Sequence, residues 1–548
     1  MDRRQFLSSS VALGAGLSLT HTLAARPSAP RLVPDSLQLH PFIDAHPEAV
    51  FIRRTAVSSK LDTTAKFSEG KAFSSELFAA AENGDLPFSN ALAVKPNLTC
   101  TYGTGNTADG MGIMTDLAFL DGMIGGIKET GFPGTNMYAR EGNWLGDGYC
   151  ADEYNVTGVL VKHIADKYGM HVHDFSTGRH LRDMTVDTLQ PGTEVIWRDI
   201  PDGIVSRRLG YIAPYNDDDT FLLNIAKFKT HSMGMTLCAK NLQGMVVSPY
   251  VRFCEGVDAT KKHPTGILQD FQPDFEQHID SLHAKHVAQG IPRWDREGRT
   301  ATGGYGMETW AQRTCDSHSV TKTGLNIIEG IYGRNGNGFS QGPGPGDTPQ
   351  DFMTNILVFG KNPFHVDIIG AWLAGHEPGN FGLFHIAHER GLSPLFNPFS
   401  IPLFDWAAGE PAPLDLADVD RTPLVCPYLT RDYNGQSEAK YHLVDEEFDY
   451  TTVGVATAPA AIARPSLNPL RNPARGAALL EVRLPKGGTV HVEVRDSAGR
   501  RVDVLRHGYM RAGVHSLRWQ PSRLASGMYL FVLHSDAGIA RSKVLFLR

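Results

Sequence analysis

The sequence lacks the cysteine pattern of an iron–sulfur or zinc-ribbon protein. Its 548 residues include six cysteines, and none of them belongs to a C-x-x-C pair. Six cysteines are also too few to act as a disulfide scaffold for a chain of this length. One or two disulfides are compatible with the sequence, but we expect most of the cysteines to be free and buried as small hydrophobic side chains.

A basic surface is missing as well. The formal net charge is −7 and no long run of lysine or arginine occurs, so nucleic acid is not an expected partner. After the N-terminal region, no apolar stretch has the roughly 20 residues that a membrane-spanning helix needs. The remaining composition, with 41% hydrophobic and 20% charged residues, is typical of globular domains.

The N-terminus has the features of an export signal. Arg3 and Arg4, followed by F-L, resemble a twin-arginine motif, and a mildly apolar stretch at residues 11–23 precedes an A-A pair suited to cleavage. We therefore expect residues 1–26 to be a signal peptide that is recognised by export machinery. The mature protein would then be periplasmic, surface-bound or secreted in a Gram-negative bacterium. The twin-arginine route carries folded proteins, often with a cofactor inserted, so a metal ion or another, unknown cofactor is compatible with this start.

Short apolar runs alternate with helical patterns between residues 31 and 455. Residues 91–94 and 221–225 have the length of buried strands, whereas residues 116–130 place apolar side chains at helical spacing and end at a glycine. This alternation predicts an α/β domain with a largely parallel sheet flanked by helices. In such sheets, ligands bind at the carboxyl ends of the strands.

Three polar segments follow predicted strands, at residues 95–97, at residues 227–231 and in a glycine-rich loop at residues 332–347. The second is predicted to be a basic loop that leads into a helix carrying Lys240 and Asn241. The loop spacing matches neither a P-loop nor G-x-G-x-x-G. Glycine allows a close approach of the backbone to a ligand, but a flexible surface loop explains the composition equally well.

Lysines from separate segments suggest an anion site. Lys95, Lys229 and Lys240 would attract a phosphate or carboxylate if they converge. One of them, desolvated among the others, could instead act as a base or as a Schiff-base nucleophile. The alternative is that they pair with carboxylates or reach water, and we favour that structural role for Lys227. His231 lies within the same basic segment and could transfer a proton.

Histidines and carboxylates suggest metal sites only weakly. Four histidine pairs have the spacing of metal ligands, but none forms a stringent motif such as H-E-x-x-H, and surface or hydrogen-bonded histidines are the favoured interpretation. The pairs are His40 and His46, His171 and His173, His283 and His286, and His385 and His388. Glu141 and Asp367 are acidic residues in apolar surroundings. They could pair with the lysines, accept a proton or bind a metal, and the sequence leaves these roles open.

The same segments resemble the family called domain of unknown function 362. The matching motifs are K-P-N at residues 95–97, F-K-T-H at 228–231, A-K-N-L-Q-G at 239–244, the glycine-rich loop after Ile328, and Asp367. The resemblance covers residues 90–392 and implies an α/β domain without a settled reaction. Many members carry a ferredoxin-like segment, which this chain lacks, and Glu329 stands where members often have aspartate.

The last 81 residues have the alternation of a β-sandwich. After an Ala- and Pro-rich linker at residues 456–467, strand patterns recur about every ten residues between 468 and 548, and valines at 490, 492 and 494 share one face. The module predicts an immunoglobulin-like all-β fold. It resembles the C-terminal sorting domain of the type IX secretion system, which implies transfer across the outer membrane; a plain accessory sandwich is the alternative.

Together these patterns predict an exported protein, most simply an enzyme that acts on a small anionic molecule. A non-catalytic surface protein that binds an anion or a metal, and a redox protein without a ferredoxin-type cluster, are the other hypotheses. The candidate site residues are Lys95, His231 and Lys240 as catalytic groups, Asn97, Lys229, Asn241, Gly336 and Gly338 as binding groups, and Asp367 and Glu329 as metal ligands.

Overall fold

The computed structural model describes most of the chain between residues 34 and 547. The described residues are 34–98, 108–142, 161–172, 177, 188–231, 233–247, 270–290, 304–336, 348–422, 424, 432–433, 436–437, 447–452, 465–469, 472–510, 513–521 and 524–547.

The first part of the described chain alternates between strands and helices. Its strands are β1 (Ser36–Leu39), β2 (Val50–Arg54), β3 (Phe78–Ala81), β4 (Leu86–Pro87), β5 (Ala91–Pro96), β6 (Met137–Ala139), β7 (Val195–Asp199), β8 (Arg208–Ile212), β9 (Thr220–His231), β10 (Gly234–Thr236), β11 (Leu325–Arg334), β12 (Asp351–Gly360), β13 (Leu403–Ala407), β14 (Glu410–Pro413), β15 (Asp432–Tyr433) and β16 (Gln436–Ser437). Its helices are α1 (Pro41–Ala45), α2 (Thr63–Leu77), α3 (Leu117–Glu129), α4 (Val161–Tyr168), α5 (Cys238–Asn241), α6 (Phe275–Gln289), α7 (Gly304–Ser319), α8 (Pro363–Leu373) and α9 (Gly382–Glu389).

One sheet organises this α/β domain. Within the described residues it has nine strands in the order β14-β13-β2-β12-β11-β9-β5-β6, with β10 paired to β9. The pairs β13–β2, β11–β9, β9–β5 and β5–β6 are parallel, and the other four pairs are antiparallel. The predicted α/β class is confirmed, and the sheet is mixed in direction, with its parallel part at β11, β9, β5 and β6.

Helices cover both faces of this sheet, as the period-two alternation of its strands requires. In β2, Phe51 belongs to one core with residues of α2 and α3. The neighbouring Val50 and Ile52 belong to a second core, formed with residues of α5, α7, α8 and α9. The side chains of β2 therefore alternate between two helical layers.

Strand β9 is longer than the sequence predicted. The expected strand ended at residue 225 and the expected basic loop followed, but β9 continues to His231 and turns through the short hairpin strand β10. The loop prediction was wrong because the lysines of this segment have buried partners: Lys227 pairs with Glu329 of β11, and Lys229 donates to the Ile113 carbonyl oxygen. A strand predicted over residues 171–174 is represented in the described residues only by a single bridge between His171 and Tyr138, while residues 173 and 174 lie outside the description.

The C-terminal module is all-β in its described residues, as predicted. Its strands are β17 (Ser466–Pro469), β18 (Ala474–Arg475), β19 (Ala478–Leu484), β20 (Gly488–Arg495), β21 (Arg501–Met510), β22 (Gly513–Trp519), β23 (Gly527–Ser535) and β24 (Gly538–Leu547). They form a three-stranded sheet, β17-β19-β22, and a five-stranded sheet, β18-β24-β23-β20-β21. Side chains from both sheets, such as Trp519 and Phe531, share one core.

No helix in the described part of the chain is long and apolar enough to cross a membrane.

Candidate functional site

Strands β5, β9 and β11 are parallel neighbours, so their carboxyl ends meet at one edge of the sheet. The described residues of the polar segments that the sequence analysis singled out lie there. Lys95 is near the end of β5, His231 ends β9, and Gly336 follows the end of β11. The structure thus brings together segments that are up to 241 residues apart in numbering, from Lys95 to Gly336.

Lys95 is fully buried in an ion pair. Its ammonium group donates to the Glu141 carboxylate and, at 2.7 Å, to the Pro96 carbonyl oxygen. Gly244 packs against this pair so closely that a Cβ there would lie 1.6 Å from Glu141 Oε1. Burial lowers the pKa of Lys95, the Glu141 carboxylate opposes that shift, and the charge of Lys240 adds to it.

A chain of buried amides connects Lys95 with the centre of the sheet. Lys95, Asn224 and Asn326 are register partners across β5, β9 and β11. Asn241, from α5, donates through Nδ2 to the Lys95 carbonyl oxygen at 2.9 Å and to Asn224 Oδ1 at 2.8 Å. Asn224 Nδ2 in turn donates to Asn326 Oδ1 at 2.9 Å. The Asn241 side chain therefore fixes α5 to two neighbouring strands.

Three more basic residues complete what we call the lysine cluster: Lys95, Lys229, His231 and Lys240. Lys229 Nζ donates to the Ile113 carbonyl oxygen at 2.6 Å, and His231 Nδ1 accepts the Met233 N–H at 3.1 Å. Burial, and then the charge of Lys240, hold the pKa of Lys229 and the pKa of His231 well below their ordinary values. Because Nδ1 accepts a hydrogen bond, the neutral His231 ring carries its proton on Nε2.

Lys240 occupies a different position from the other members of the cluster. It is half-buried, in the last turn of α5, whereas Lys95, Lys229 and His231 are buried. Its charge lowers the pKa of each of those three groups. Lys240 is thus the cluster member that lies nearest to solvent and influences all the others.

Lys227 and Glu329 belong to a separate buried network. Lys227 Nζ donates to Glu329 Oε2 at 2.7 Å and lies 3.4 Å from the ring centre of Tyr332. Tyr332 donates to Asp116 Oδ2 at 2.8 Å, which also accepts from Lys66 at 2.6 Å. Burial lowers the pKa of Lys227 and raises that of Glu329. Both side chains are therefore bonded within a buried structural network. A metal-binding role for Glu329 stays a prediction.

Asp367 holds the start of α5. Its Oδ1 accepts the Cys238 N–H and its Oδ2 accepts the Ala239 N–H, each at 2.7 Å. Burial raises the pKa of Asp367 to about 8, although these backbone bonds oppose that shift. The side chain therefore positions the helix that carries Lys240, and its predicted role as a metal ligand is untested.

The remaining predicted binding groups lie close to the ends of β5 and β11. The Asn97 N–H donates to Thr115 Oγ1 at 2.8 Å. Gly336 has a positive φ of 83°, which favours glycine, and its carbonyl oxygen accepts from the Thr230 hydroxyl. Gly338 lies outside the described residues.

Two of the histidine pairs noted in the sequence meet in space. His286 Nδ1 lies 2.7 Å from Glu308 Oε2, and its Nε2 lies 3.1 Å from Glu389 Oε2, next to His385. Burial lowers the pKa of His286, but the bonds to Glu308 and Glu389 outweigh it and raise the pKa to about 9. In the described ranges, no three His, Cys, Asp or Glu side chains are grouped so that they could hold a metal ion. The predicted pair of His171 and His173 cannot be compared, because residue 173 lies outside the described residues.

Cys238 and Cys315 are free and buried. Burial raises the pKa of the Cys238 thiol well above its ordinary value and that of Cys315 to about 12. Neither thiol is activated as a nucleophile, since a reactive cysteine needs a stabilised thiolate.

Several structural partners were not singled out from the sequence. Asn224, Asn326 and Tyr332 are central to the two buried networks, yet each was treated as part of a strand or loop. Asn224 does carry a local signal, because an amide within the apolar run F-L-L-N-I-A needs a buried hydrogen-bonding partner. The identity of that partner depends on the sheet register.

A family model describes this domain. The family Domain of unknown function (DUF362) matches residues 92–372, just over half of the 548-residue chain. The chain belongs to this family. No curated protein matches it.

The solved structures described next are each similar to a small part of the chain. Dimeric latent PorU from Porphyromonas gingivalis is 22% identical, over 15% of this chain and 9% of that one, with a TM-score of 0.13. PorZ, a surface component of the type-IX secretion system of the same organism, is 18% identical over 18% and 13%, with a TM-score of 0.12. The human B7-H4 IgV-like domain is 11% identical over 15% and 96%, with a TM-score of 0.13. Scores this low carry no argument about function.

Proposed function

We propose that the protein is an enzyme that binds a small anionic molecule at the lysine cluster. The observation that carries this proposal is that three buried basic groups, Lys95, Lys229 and His231, lie near the carboxyl ends of β5 and β9. The charge of the half-buried Lys240 lowers the pKa of all three. Basic groups that disfavour each other's protonation are stabilised by an anion placed among them. The half-buried Lys240 would contact such an anion first.

The members of the cluster would have different roles. Lys95 is paired with Glu141 and bonded to Asn241, so it would hold the geometry of the site. Lys229, whose pKa is lowered by burial and by the charge of Lys240, would be neutral more readily than an ordinary lysine, and a neutral amine can accept a proton or attack a carbonyl carbon. His231 carries its proton on Nε2 and would donate a hydrogen bond, or that proton, to the bound molecule.

Non-catalytic binding of the same anion is the second candidate. It is favoured by the contacts of Lys95 and Lys229 with backbone carbonyl oxygens, which fix both ammonium or amine groups in place. The two candidates share the anion site and differ only in whether a bound molecule is converted. A turnover assay on any anion that binds would separate them.

The binding test is a titration of the full chain with a series of small anions. Inorganic phosphate, sulfate, acetate and small dicarboxylates would be screened by thermal shift, and binders would be measured by calorimetry. Lys240→Met should weaken binding roughly tenfold or more, the value of one lost charge-assisted contact of about 1.5 kcal/mol. Lys240→Arg should retain most of the affinity. Lys322→Met is the matched control, since Lys322 is exposed and precedes the amino end of β11.

Two results would refute the proposal. If no anion of the series binds, the cluster is a structural network. If Lys240→Met and Lys322→Met bind with equal affinity, the anion site lies elsewhere.

We also propose that the protein is exported, on the basis of Arg3, Arg4 and the sorting-like strand pattern of the C-terminal module. In the native host, replacing both arginines with lysine should leave the protein in the cytoplasm, whereas Arg26→Lys should not. A chain that ends at residue 465 should stop in the periplasm if the C-terminal module is a sorting domain. Unchanged fractionation of either variant would remove the corresponding part of this proposal.

A further inference from the structure

The five-stranded sheet of the C-terminal module carries three histidines side by side. His491, in β20, is the register partner of His507 in β21 and of His534 in β23. Since β20 lies between the other two strands, the row crosses three adjacent strands. Val490 and Val492, the neighbours of His491 in the chain, are buried in the module core, so the histidine row lies on the opposite face.

These rings are accessible. His507 is exposed, and the side chains of His491 and His534 retain 30% and 42% of their accessible surface. The row is therefore not part of the core, and packing does not account for three imidazoles at neighbouring positions.

Two of the rings already have the separation of metal ligands. The Nδ1 atoms of His491 and His507 are 3.2 Å apart, and the ring planes are inclined at 77°. Two imidazole nitrogens bound to one tetrahedral Zn²⁺, each at roughly 2.0–2.1 Å, would be about 3.3 Å apart. Without a metal, one ring donates its Nδ1 proton to the other.

A carboxylate beside the row favours the required tautomer. Glu493 lies 3.7 Å from Nε2 of His491 and 3.7 Å from Nε2 of His534. It is buried on this sheet and bonded to Arg495. A negative charge on that side of the imidazoles favours a proton on Nε2, which leaves Nδ1 of His491 as the metal-binding atom.

We propose that His491 and His507 form a surface site for a divalent transition-metal ion such as Zn²⁺, Ni²⁺ or Cu²⁺. Imidazole suits these ions, whereas Ca²⁺ and Mg²⁺ prefer oxygen ligands. His534, whose ring centre is 6.3 Å from that of His491, would become a third ligand after a side-chain rotation, and water would complete the coordination. This site is independent of the lysine cluster, which lies in the α/β domain.

The test uses the untagged full chain, freed of metal by dialysis against a chelator. It is titrated with ZnCl₂ by calorimetry and with CuCl₂ by electron paramagnetic resonance, in which coordinated imidazole nitrogens give resolved splittings. His491→Gln and His507→Gln should each weaken Zn²⁺ binding roughly tenfold or more, as expected for the loss of one of two protein ligands. Each variant should also lose nitrogen splittings from the Cu²⁺ spectrum.

His515→Gln is the matched control, because His515 is in β22 of the other sheet of the same module. Its binding should equal that of the native chain. Thermal unfolding without metal should be the same for all variants, since the replaced side chains are partly exposed, and added Zn²⁺ should raise the melting temperature of the native chain but not of His507→Gln. If His491→Gln and His507→Gln bind as the native chain does, or if His515→Gln loses as much, the proposed site is excluded.

Discussion

Asp367 and Cys238 are joined by a 2.7 Å hydrogen bond from the Cys238 N–H to Asp367 Oδ1. The second side-chain oxygen accepts from the next amide, that of Ala239, at the same distance. The start of α5 is therefore held by a residue of α8. The helix that presents Lys240 and Asn241 to the edge of the sheet is only four residues long, too short to be stable without such tertiary contacts.

Asp367→Ala should destabilise the α/β domain and weaken anion binding. It leaves two buried N–H groups without acceptors, at about 1–3 kcal/mol each, and releases the helix that carries Lys240. Chemical denaturation and the phosphate titration would measure the two effects. Asp415→Ala is the control, since Asp415 caps an exposed turn through the Ala417 N–H at 3.0 Å. Stability of Asp367→Ala equal to that of the control would contradict the structural role assigned to Asp367.

Removal of Glu141 should be more harmful than removal of the whole ion pair. Glu141→Gln leaves the buried Lys95 ammonium without its carboxylate, which should lower the free energy of unfolding by about 3–5 kcal/mol. The double variant Lys95→Met, Glu141→Leu should recover most of that loss, since neither buried charge remains. Urea denaturation gives the comparison.

Asp166→Asn is the matched control for the ion pair, because the Lys162–Asp166 pair is largely exposed, with side-chain exposures of 59% and 64%. It should leave the denaturation midpoint unchanged. A double variant less stable than Glu141→Gln would show that Lys95 contributes through contacts other than this pair.

Lys240→Met should raise the pKa of Lys229 and of His231 towards their ordinary values. Both are lowered first by burial and then by the charge of Lys240, and only the second cause is removed by the substitution. Lysine labelled with ¹³C at Cε, and histidine labelled with ¹⁵N, would report the two titrations by NMR. Lys322→Met should move neither resonance, and unchanged titrations in Lys240→Met would mean that the charge of Lys240 lowers neither pKa.

Stability should fall in alkaline solution through His286. Its pKa is raised from 6.5 to about 9 in the folded protein, so its protonated form is favoured by folding. The resulting stabilisation is fully present below pH 6.5 and is lost as the pH rises through 9, at a cost of about 3 kcal/mol. His286→Gln should remove this dependence, whereas His278→Gln, at an exposed position of the same helix, should keep it. Denaturation midpoints between pH 6 and pH 10 would show the difference.

Elements with a local signature were predicted well from the sequence. Helix α3 was expected at residues 116–130 and spans Leu117–Glu129, with Asp116 accepting from the Ala118 and Phe119 N–H groups at its start. An apolar stripe at helical spacing, a capping aspartate and a final glycine are all encoded within one short stretch. The proximity of residues 95–97 to the basic segment was also predicted, because both segments were expected at the carboxyl ends of parallel strands.

Features that depend on distant partners were not predictable. Lys227 and Glu329 are 102 residues apart in the chain, and each buried charge inside the sheet is stabilised by the other. The segment containing Lys227 was taken for a loop because its own composition is basic, and only its partner explains why it continues as strand β9. The position of β12, which lies antiparallel between β11 and β2, could not be predicted either. An apolar run indicates a strand but does not indicate the direction in which that strand pairs with its neighbours.

The buried amide chain of Asn241, Asn224 and Asn326 has a consequence for how the sheet assembles. Apolar side chains accept many neighbours, so valine and isoleucine alone tolerate alternative strand alignments. A shift of one residue in β9 would turn the Asn224 side chain to the opposite helical layer and leave the amides of its two partners unsatisfied. The hydrogen bonds of these three asparagines therefore favour a single register between β9 and β11. The positions of Lys95 and Lys229 depend on that register.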